Sequence, residues 1–393
     1  MFPLATSGSY PDLDSTSEGA LPPNPCFRIP ALAAFSAASA HPGRLLAAFD
    51  IRPDFHDLPG KIALGTRFSD DSGRTWSPLQ VLKPARDGWG FGDASLISTS
   101  RGEMLALFVA SRGRNFWDEA EAGAEWRLLQ GHSQDGVTWD FTDLTAQLWD
   151  ESTGSMFFAS GNGIELREGR SRGRLLQPIV WRARGSTETL AGVAISDNGG
   201  QSWSRPRAAG FRRPVGIPGG DESKVVELPG GDVLLSSRAY PRRRWAISCD
   251  GGQSFGSVWS EVADPGCNAG LAVFDDEIIL TSLFPPALVE DSAESQPMGT
   301  VLCSQNGSRL DPSAGKSSSR QDWSARSNLV LRRGKCSAVD SGKPRLTWSP
   351  PRVIDSGQAA YSVAIPLGNH IAIAWERGQN SPYGSLAFTI VDY

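Results

Sequence analysis

Five stretches of this chain carry residues that could do chemistry, and they are scattered from Arg28 to Tyr361. DESKVVELPGGDVLLSSR (221–238) reads as two strands around the turn Pro229-Gly230-Gly231, with an acidic residue entering and an arginine leaving. Antiparallel strands run side by side, so Glu222 and Arg238 can end at the same mouth of a sheet; Glu227 is the rival glutamate. FDIRPDFHDLPG (49–60) gathers Asp50, Arg52, Asp54, His56 and Asp57 in a Pro-flanked loop. CFRIPAL (26–32) sets Arg28 between an aromatic and an Ile-Pro. Pro30 cannot donate to a ladder and suits the edge or start of a strand. ARSNLVLR (325–332) offers Arg326 and Arg332, and SGQAAYSVAI (356–365) offers Tyr361, one of five tyrosines. Carboxylates can move protons and guanidinium groups can fork onto an anion. Singly, each of these residues is an ordinary surface cation or turn former, so an architecture must bring them together.

That architecture is written in a repeat. The stretches SDDSGRTW (69–76), HSQDGVTW (132–139), SDNGGQSW (196–203) and SCDGGQSF (248–255) recur at roughly fifty- to sixty-residue spacing, the signature of a radially repeated fold. Gly73, Gly136, Gly200 and Gly252 can supply a positive φ, the acidic or amide residue before them can bond the turn backbone, and the terminal aromatic can pack beneath. In the second copy only Gly136, Thr138 and Trp139 keep the frame of the first. A fifth copy is expected within 332–348, where only Thr347-Trp348 survives.

The bulk composition agrees. Short alternating apolar runs such as LLAAFDI (45–51), EMLALFVA (103–110) and HIAIAWE (370–376) read as strands, with no long amphipathic helix and no run able to cross a membrane. The 393 residues carry a net charge of −5, which argues against general nucleic-acid or membrane-surface binding but not against a local arginine cluster for an anionic substrate. Five scattered cysteines without a C-x-x-C pair, and four histidines without H-E-x-x-H, support neither a disulfide framework nor a metal site. Residues 1–24 are expected to be a loose arm and 25–393 one catalytic domain with a surface insertion at about 285–325. The N-terminus has neither the basic nor the apolar region of a signal peptide, so the chain as written is expected to be cytoplasmic, or secreted if trimmed.

The repeats resemble the Asp box, S-x-D-x-G-x-T-W, and F-R-I-P ahead of them resembles the motif that opens the catalytic domain of bacterial-type exo-α-sialidases (neuraminidases). The resemblance runs from residue 26 to about 376 and implies an all-β, six-bladed β-propeller. It implies that Arg28, Arg238 and Arg326 grip a substrate carboxylate, with Arg332 and Arg320 rivals to Arg326. Arg52 would contact the sugar's O4 region, and Asp57, favoured over Asp50 and Asp54, would be the acid/base catalyst. Glu222 and Tyr361, the latter in an A-Y-S segment, match the family's base and nucleophile. Asp93 in FGDAS (91–95) falls near the expected N-acetyl pocket, where Phe116 and Trp117 suit core packing better than walls.

Together these residues suit sialic acid, whose anomeric carbon bears a carboxylate. Three guanidiniums would hold it, and a neutral tyrosine hydroxyl would approach where a carboxylate nucleophile would be repelled. Tyrosine needs a neighbouring base, which Glu222 would supply. The expected function is retaining release of terminal α-linked sialic acids from glycoproteins, glycolipids and oligosaccharides, without metal or organic cofactor. The alternatives are a trans-sialidase, an intramolecular trans-sialidase, or a non-catalytic propeller that binds glycan or protein.

Overall fold

The computed structural model describes residues 1–6, 22, 24–207, 214–285, 325–337 and 345–392. The expected insertion therefore lies almost wholly outside the described residues, as do most of the proposed N-terminal arm and the rival Arg320. The start of the arm corrects expectation: Phe2–Thr6 form a strand, β1, which pairs with the last strand of the chain. The apolar residues Leu4 and Ala5 are buried there, and that burial is what ties the segment down.

Four sheets follow in chain order. The first joins β2 (Cys26–Ala34), β3 (Leu45–Arg52), β4 (Ala63–Ser69) and β5 (Gln80–Lys83). The second joins β6 (Gly90–Ser98), β7 (Met104–Ser111), β8 (Trp126–Ser133) and β9 (Asp140–Asp143), after which comes the short helix α1 (Thr145–Leu148). The third contains β10 (Thr153–Phe158), β12 (Ile164–Glu165), β13 (Leu175–Ala183), β14 (Thr189–Ser196) and β15 (Gly216–Pro218). Between them β11 (Gly161–Asn162) pairs in parallel with β6 of the second sheet. The fourth is β16 (Ser223–Glu227), β17 (Val233–Ser237), β18 (Arg242–Ser248) and β19 (Trp259–Ala263).

The remaining strands make one eight-stranded sheet: β20 (Gly270–Phe274), β21 (Glu277–Leu283), β22 (Ser327–Ser337), β23 (Arg345–Trp348), β24 (Arg352–Leu367), β25 (His370–Gly378), β26 (Ser385–Asp392) and β1. Long β24 serves both halves. Its start, Arg352 to Gln358, pairs with β22, and its remainder, Gln358 to Leu367, pairs with β25. Strands β20 and β21 contact β24 outside the ladder, through the Ser362 hydroxyl, which bonds Gly270 and Thr281, so the sheet folds back on itself there. Divided at β24, it falls into two groups of strands, set beside the other four sheets.

Packing closes the ring. Phe108 of the second sheet shares a buried cluster with Leu46 of the first, and Trp181 of the third shares one with Leu107 of the second. Val225 of the fourth lies in one cluster with Val193 of the third, and Leu280 of the large sheet in another with Leu234 of the fourth. Phe388 and Val363 of the last strands then join Phe27 and Phe49 of the first sheet. Sheets covered on both faces need apolar residues at successive positions, which is why β3 and β7 are buried along their whole length. The result is a β-propeller closed by its N-terminal strand.

The repeated turns sit between the two outer strands of their sheets. In the first copy Ser69 Oγ accepts from Gly73 N at 2.8 Å, while the Asp71 carboxylate accepts from Thr75 N at 2.9 Å and Thr75 Oγ at 2.6 Å. In the third copy Asn198 replaces Asp and still bonds Ser202 N, at 2.9 Å. The second copy is more complete than its sequence frame suggests. Its loop is one residue shorter, so Ser133 Oγ accepts from Gly136 N and Asp135 Oδ1 from Val137 N and Thr138 N, each at 2.8 Å.

Candidate active site

The residues singled out from sequence lie on different sheets, and most of them meet. Arg28 sits on β2, where the register with β3 slips after it and Ile29 takes a φ of 58°. Tyr361 sits on β24 where the register with β25 slips between Ala359 and Ser362. Asp93 lies in a slip of β6, with a φ of 58°, and Asn328 beside Arg326 has the same φ. Such bulges re-aim side chains out of the strand plane, and here they coincide with the candidate site.

One buried carboxylate links two of these bulges. Glu376 Oε1 on β25 accepts from Arg28 Nε at 3.1 Å and from Ile29 N at 2.9 Å, and its Oε2 accepts from Tyr361 N at 3.2 Å. Glu376 is completely buried, and its three donors leave it no unpaired oxygen. Sequence reasoning missed it. Its only signal was a charged residue ending the apolar run HIAIAWE.

Arg238 joins Glu222 to Tyr361. One of its terminal nitrogens donates to Glu222 Oε2 at 2.6 Å and to the Tyr361 hydroxyl at 2.8 Å. Through Arg238 the Tyr361 hydroxyl and the Glu222 carboxylate are held beside one another, each bonded to the same nitrogen. The guanidinium carbons of Arg28, Arg238 and Arg326 stand 5.6, 5.9 and 5.9 Å from the Tyr361 ring centroid. Arg28 also lies 4.0 Å from the ring of Tyr383, a second residue the sequence did not flag. Arg326 donates to Cys267 Sγ at 2.5 Å. Its rival Arg332 instead donates to Ser282 and lies 4.7 Å from the Phe284 ring.

Asp57 occupies the open side, with its side chain 59% exposed. Its Oδ1 accepts from Arg52 at 2.5 Å and faces Arg28 at 3.4 Å. Arg52 is held from behind by Asp50 Oδ2, at 3.0 and 2.6 Å. The rival Asp54 bonds His56, and the rival Glu227 bonds the backbone of Arg167 and Glu168 in the neighbouring sheet. Phe116 packs edge-on against Phe157, in line with its expected core role, whereas Trp117 is exposed. The charge of Asp93 acts with those of Asp50, Glu222, Arg52 and Asp57 in one field.

These environments separate the carboxyls. Desolvation pushes Glu222 upward, against the pull of Arg238. Burial also raises Asp93 well above the usual carboxylate range, and lifts Asp50 to about 6 although Arg52 opposes it. For Asp57 desolvation acts in the same direction, yet Arg52 and Arg28 overcome it and hold the carboxyl below its ordinary value. Desolvation raises the Tyr361 hydroxyl well above its free value despite Arg238, so it stays protonated. The arrangement can bind a small anion on three arginines beside a neutral tyrosine hydroxyl, a buried carboxyl and an exposed carboxylate.

Such a mouth defines a β-propeller with an anion-binding pocket lined by carboxyls and a tyrosine. Comparison with known proteins narrows this. The chain is 30% identical over 380 residues to a sialidase of Micromonospora viridifaciens, covering 92% of this chain and 51% of that protein. It thus spans about half the length of the curated relative it matches. A Hadza microbial sialidase superposes with a TM-score of 0.67 over 93% of this chain and 66% of its own, at 19% identity. The intramolecular trans-sialidase of Ruminococcus gnavus superposes with a TM-score of 0.68 over 97% and 96%, at 14% identity. No family model matches the chain. By sequence the chain is a homologue of the Micromonospora sialidase over nearly its own whole length, and by fold it is a sialidase-type β-propeller.

Proposed function

We propose that this protein is an exo-α-sialidase that releases terminal α-linked sialic acids from glycoconjugates with retention of configuration. The observation that carries this reading is Tyr361, whose hydroxyl shares one Arg238 nitrogen with Glu222 and whose ring is flanked by three guanidiniums. The substrate carboxylate sits on Arg28, Arg238 and Arg326, which places the adjacent anomeric carbon against Tyr361. Glu222 takes the tyrosine proton as the phenolic oxygen attacks, giving a sialyl–tyrosine intermediate and expelling the glycosidic oxygen.

Asp57 protonates that leaving oxygen and then deprotonates the water that frees the sugar. Asp57 is held ionised by Arg52 and Arg28. An anionic substrate changes this, because its carboxylate neutralises Arg28 and lets the Asp57 carboxyl rise toward a protonated state. Substrate binding thereby arms the acid. Arg52 stays committed to Asp50 and orients Asp57, while Asp93 faces the polar substituents of the sugar. The Micromonospora relative is a sialidase by name, which supports the same substrate class.

The test is release of sialic acid from a fluorogenic α-sialoside by wild type and by Tyr361→Phe. Wild type is expected to turn over at mildly acidic pH and the variant to lose most turnover while keeping its fold. Absence of release by folded wild type from mildly acidic to neutral pH would overturn the reading. Product analysis then separates free sialic acid from a transferred or anhydro product.

A further inference from the structure

Beneath Glu222 lies a charged group that this reaction does not use. Lys224 follows Glu222 by two positions, on the same face of the strand, and is 1% exposed. Its ammonium donates to Ser160 O and to Asn268 Oδ1, each at 2.6 Å. Among the described residues no carboxylate lies within ion-pair distance of it. Ser160 comes from the turn between β10 and β11 and Asn268 from the loop before β20, so three parts of the ring converge on this one nitrogen. The cradle is shaped for it: a Cβ on Gly161, which has a φ of 112°, would stand 2.6 Å from Lys224 Cε.

Burying an ammonium without a partner charge is costly, and an apolar side chain of similar length would fill the space without that cost. Desolvation pulls the Lys224 ammonium down to about 7, against the attraction of Glu222. Packing alone does not account for a lysine here. Its effect on Asn268 does. A lysine that satisfies two acceptors must donate to both, so Asn268 has to turn Oδ1 toward Lys224 and Nδ2 away. Nδ2 then donates to Ser160 Oγ at 3.0 Å and faces Glu222 Oε1 at 3.5 Å. With Arg238 donating to Oε2 at 2.6 Å and Asn268 facing Oε1, each oxygen of Glu222 meets a side-chain donor. Such surroundings favour the ionised carboxylate that burial otherwise opposes.

We propose that Lys224 is a positioning residue for Glu222: it locks Asn268 with its amide N–H groups toward that carboxylate, which is thereby kept an anionic acceptor for the Tyr361 proton. The proposal rests on Glu222 being the base. Arg238, Asp221 and Asp93 also act on Glu222, and Arg243 and Cys267 on Lys224, so the test changes one member of the relay at a time.

The experiment measures kcat and KM against pH with the fluorogenic sialoside, plus thermal melting, for Lys224→Met, Asn268→Leu and Lys224→Gln. Lys224→Met is expected to lower kcat by at least roughly tenfold with KM within about twofold, and to move the acid limb of kcat to higher pH. Asn268→Leu is expected to move the limb the same way. Lys224→Gln, which keeps an N–H donor, is expected to restore most of the rate and the limb. A lower melting temperature with an unmoved acid limb would make Lys224 a packing residue only and sink the proposal. A limb that moves in Lys224→Met but not in Asn268→Leu would overturn the relay through Asn268. If Lys224→Met does not fold, an unmoved limb in Asn268→Leu is enough to overturn it. Inactive wild type would instead defeat the sialidase reading itself, and the proposal with it.

Discussion

The outer turns and the central mouth of this propeller are built on opposite principles. Each outer turn is local: Ser69, Asp71, Gly73 and Thr75 satisfy one another across at most four residues, and the pattern recurs at 133–138, 196–202 and 248–254. The mouth is the reverse. Arg28 and Glu376 are 348 positions apart, and Arg238 and Tyr361 are 123 apart. Redundant local turns tolerate drift, as Asn198 and Phe255 show. A mouth made of single long-range contacts has no spare copy. Damage at the rim is therefore expected to register as stability, and damage at the mouth as activity.

The largest effect expected under this contrast is that of Tyr361→Phe, which removes the attacking oxygen without leaving a cavity. Its melting temperature should match wild type while turnover collapses; comparable losses of both would break the contrast. Glu376→Gln tests a residue that is neither rim nor reactant. One amide N–H must face a donor, so about 3–5 kcal/mol of stability is expected to go, as for one broken member of a buried pair. Because Arg28 loses its anchor, KM should also rise by at least roughly tenfold, read from denaturant melts beside saturation kinetics.

Gly73→Ala sharpens the rim side. Gly73 has a φ of 80°, and an added Cβ would stand 2.1 Å from the Phe388 ring across the closing seam. A loss on the order of 1–3 kcal/mol is expected, with kcat unchanged below the melting range. A fall in kcat at fixed folded fraction would show that the seam reaches the mouth.

The smallest effect is Asp71→Asn. Hydrogen bonds from Thr75 and Ser69 lower Asp71 to about 2, from an ordinary 3.8. Its contribution is therefore full above about pH 4 and is lost as pH falls through about 2. The melting-temperature gap between wild type and Asp71→Asn should be small at pH 5 and close on acidification. A gap that widens instead would reverse the sign of the linkage.

Legibility in the sequence follows the same divide. The turns were readable because their chemistry lies within eight residues, although the shortened second copy hid Ser133 and Asp135 by one position. Strand β1 was missed because five residues gain their stability only from β26 at the far end of the chain. At the mouth, resemblance supplied Arg28, Arg52, Asp57, Glu222, Arg238, Arg326 and Tyr361, and the structure brings these seven side by side. Glu376, Tyr383, Asn268 and Lys224 gave no usable signal, since each acquires its role from a neighbour on another sheet.

The sequence by itself determined the repeat, the all-β class, the turn chemistry and the residue types able to handle a carboxylated sugar, because periodicity and motif act over short stretches. Only the closed ring decided which carboxylate faces which arginine. Register slips at Arg28, Asp93 and Tyr361 re-aim the strands, and burial pushes Glu222 up while Arg52 and Arg28 hold Asp57 down. Those outcomes depend on distances and desolvation, which exist only after the last sheet packs against the first.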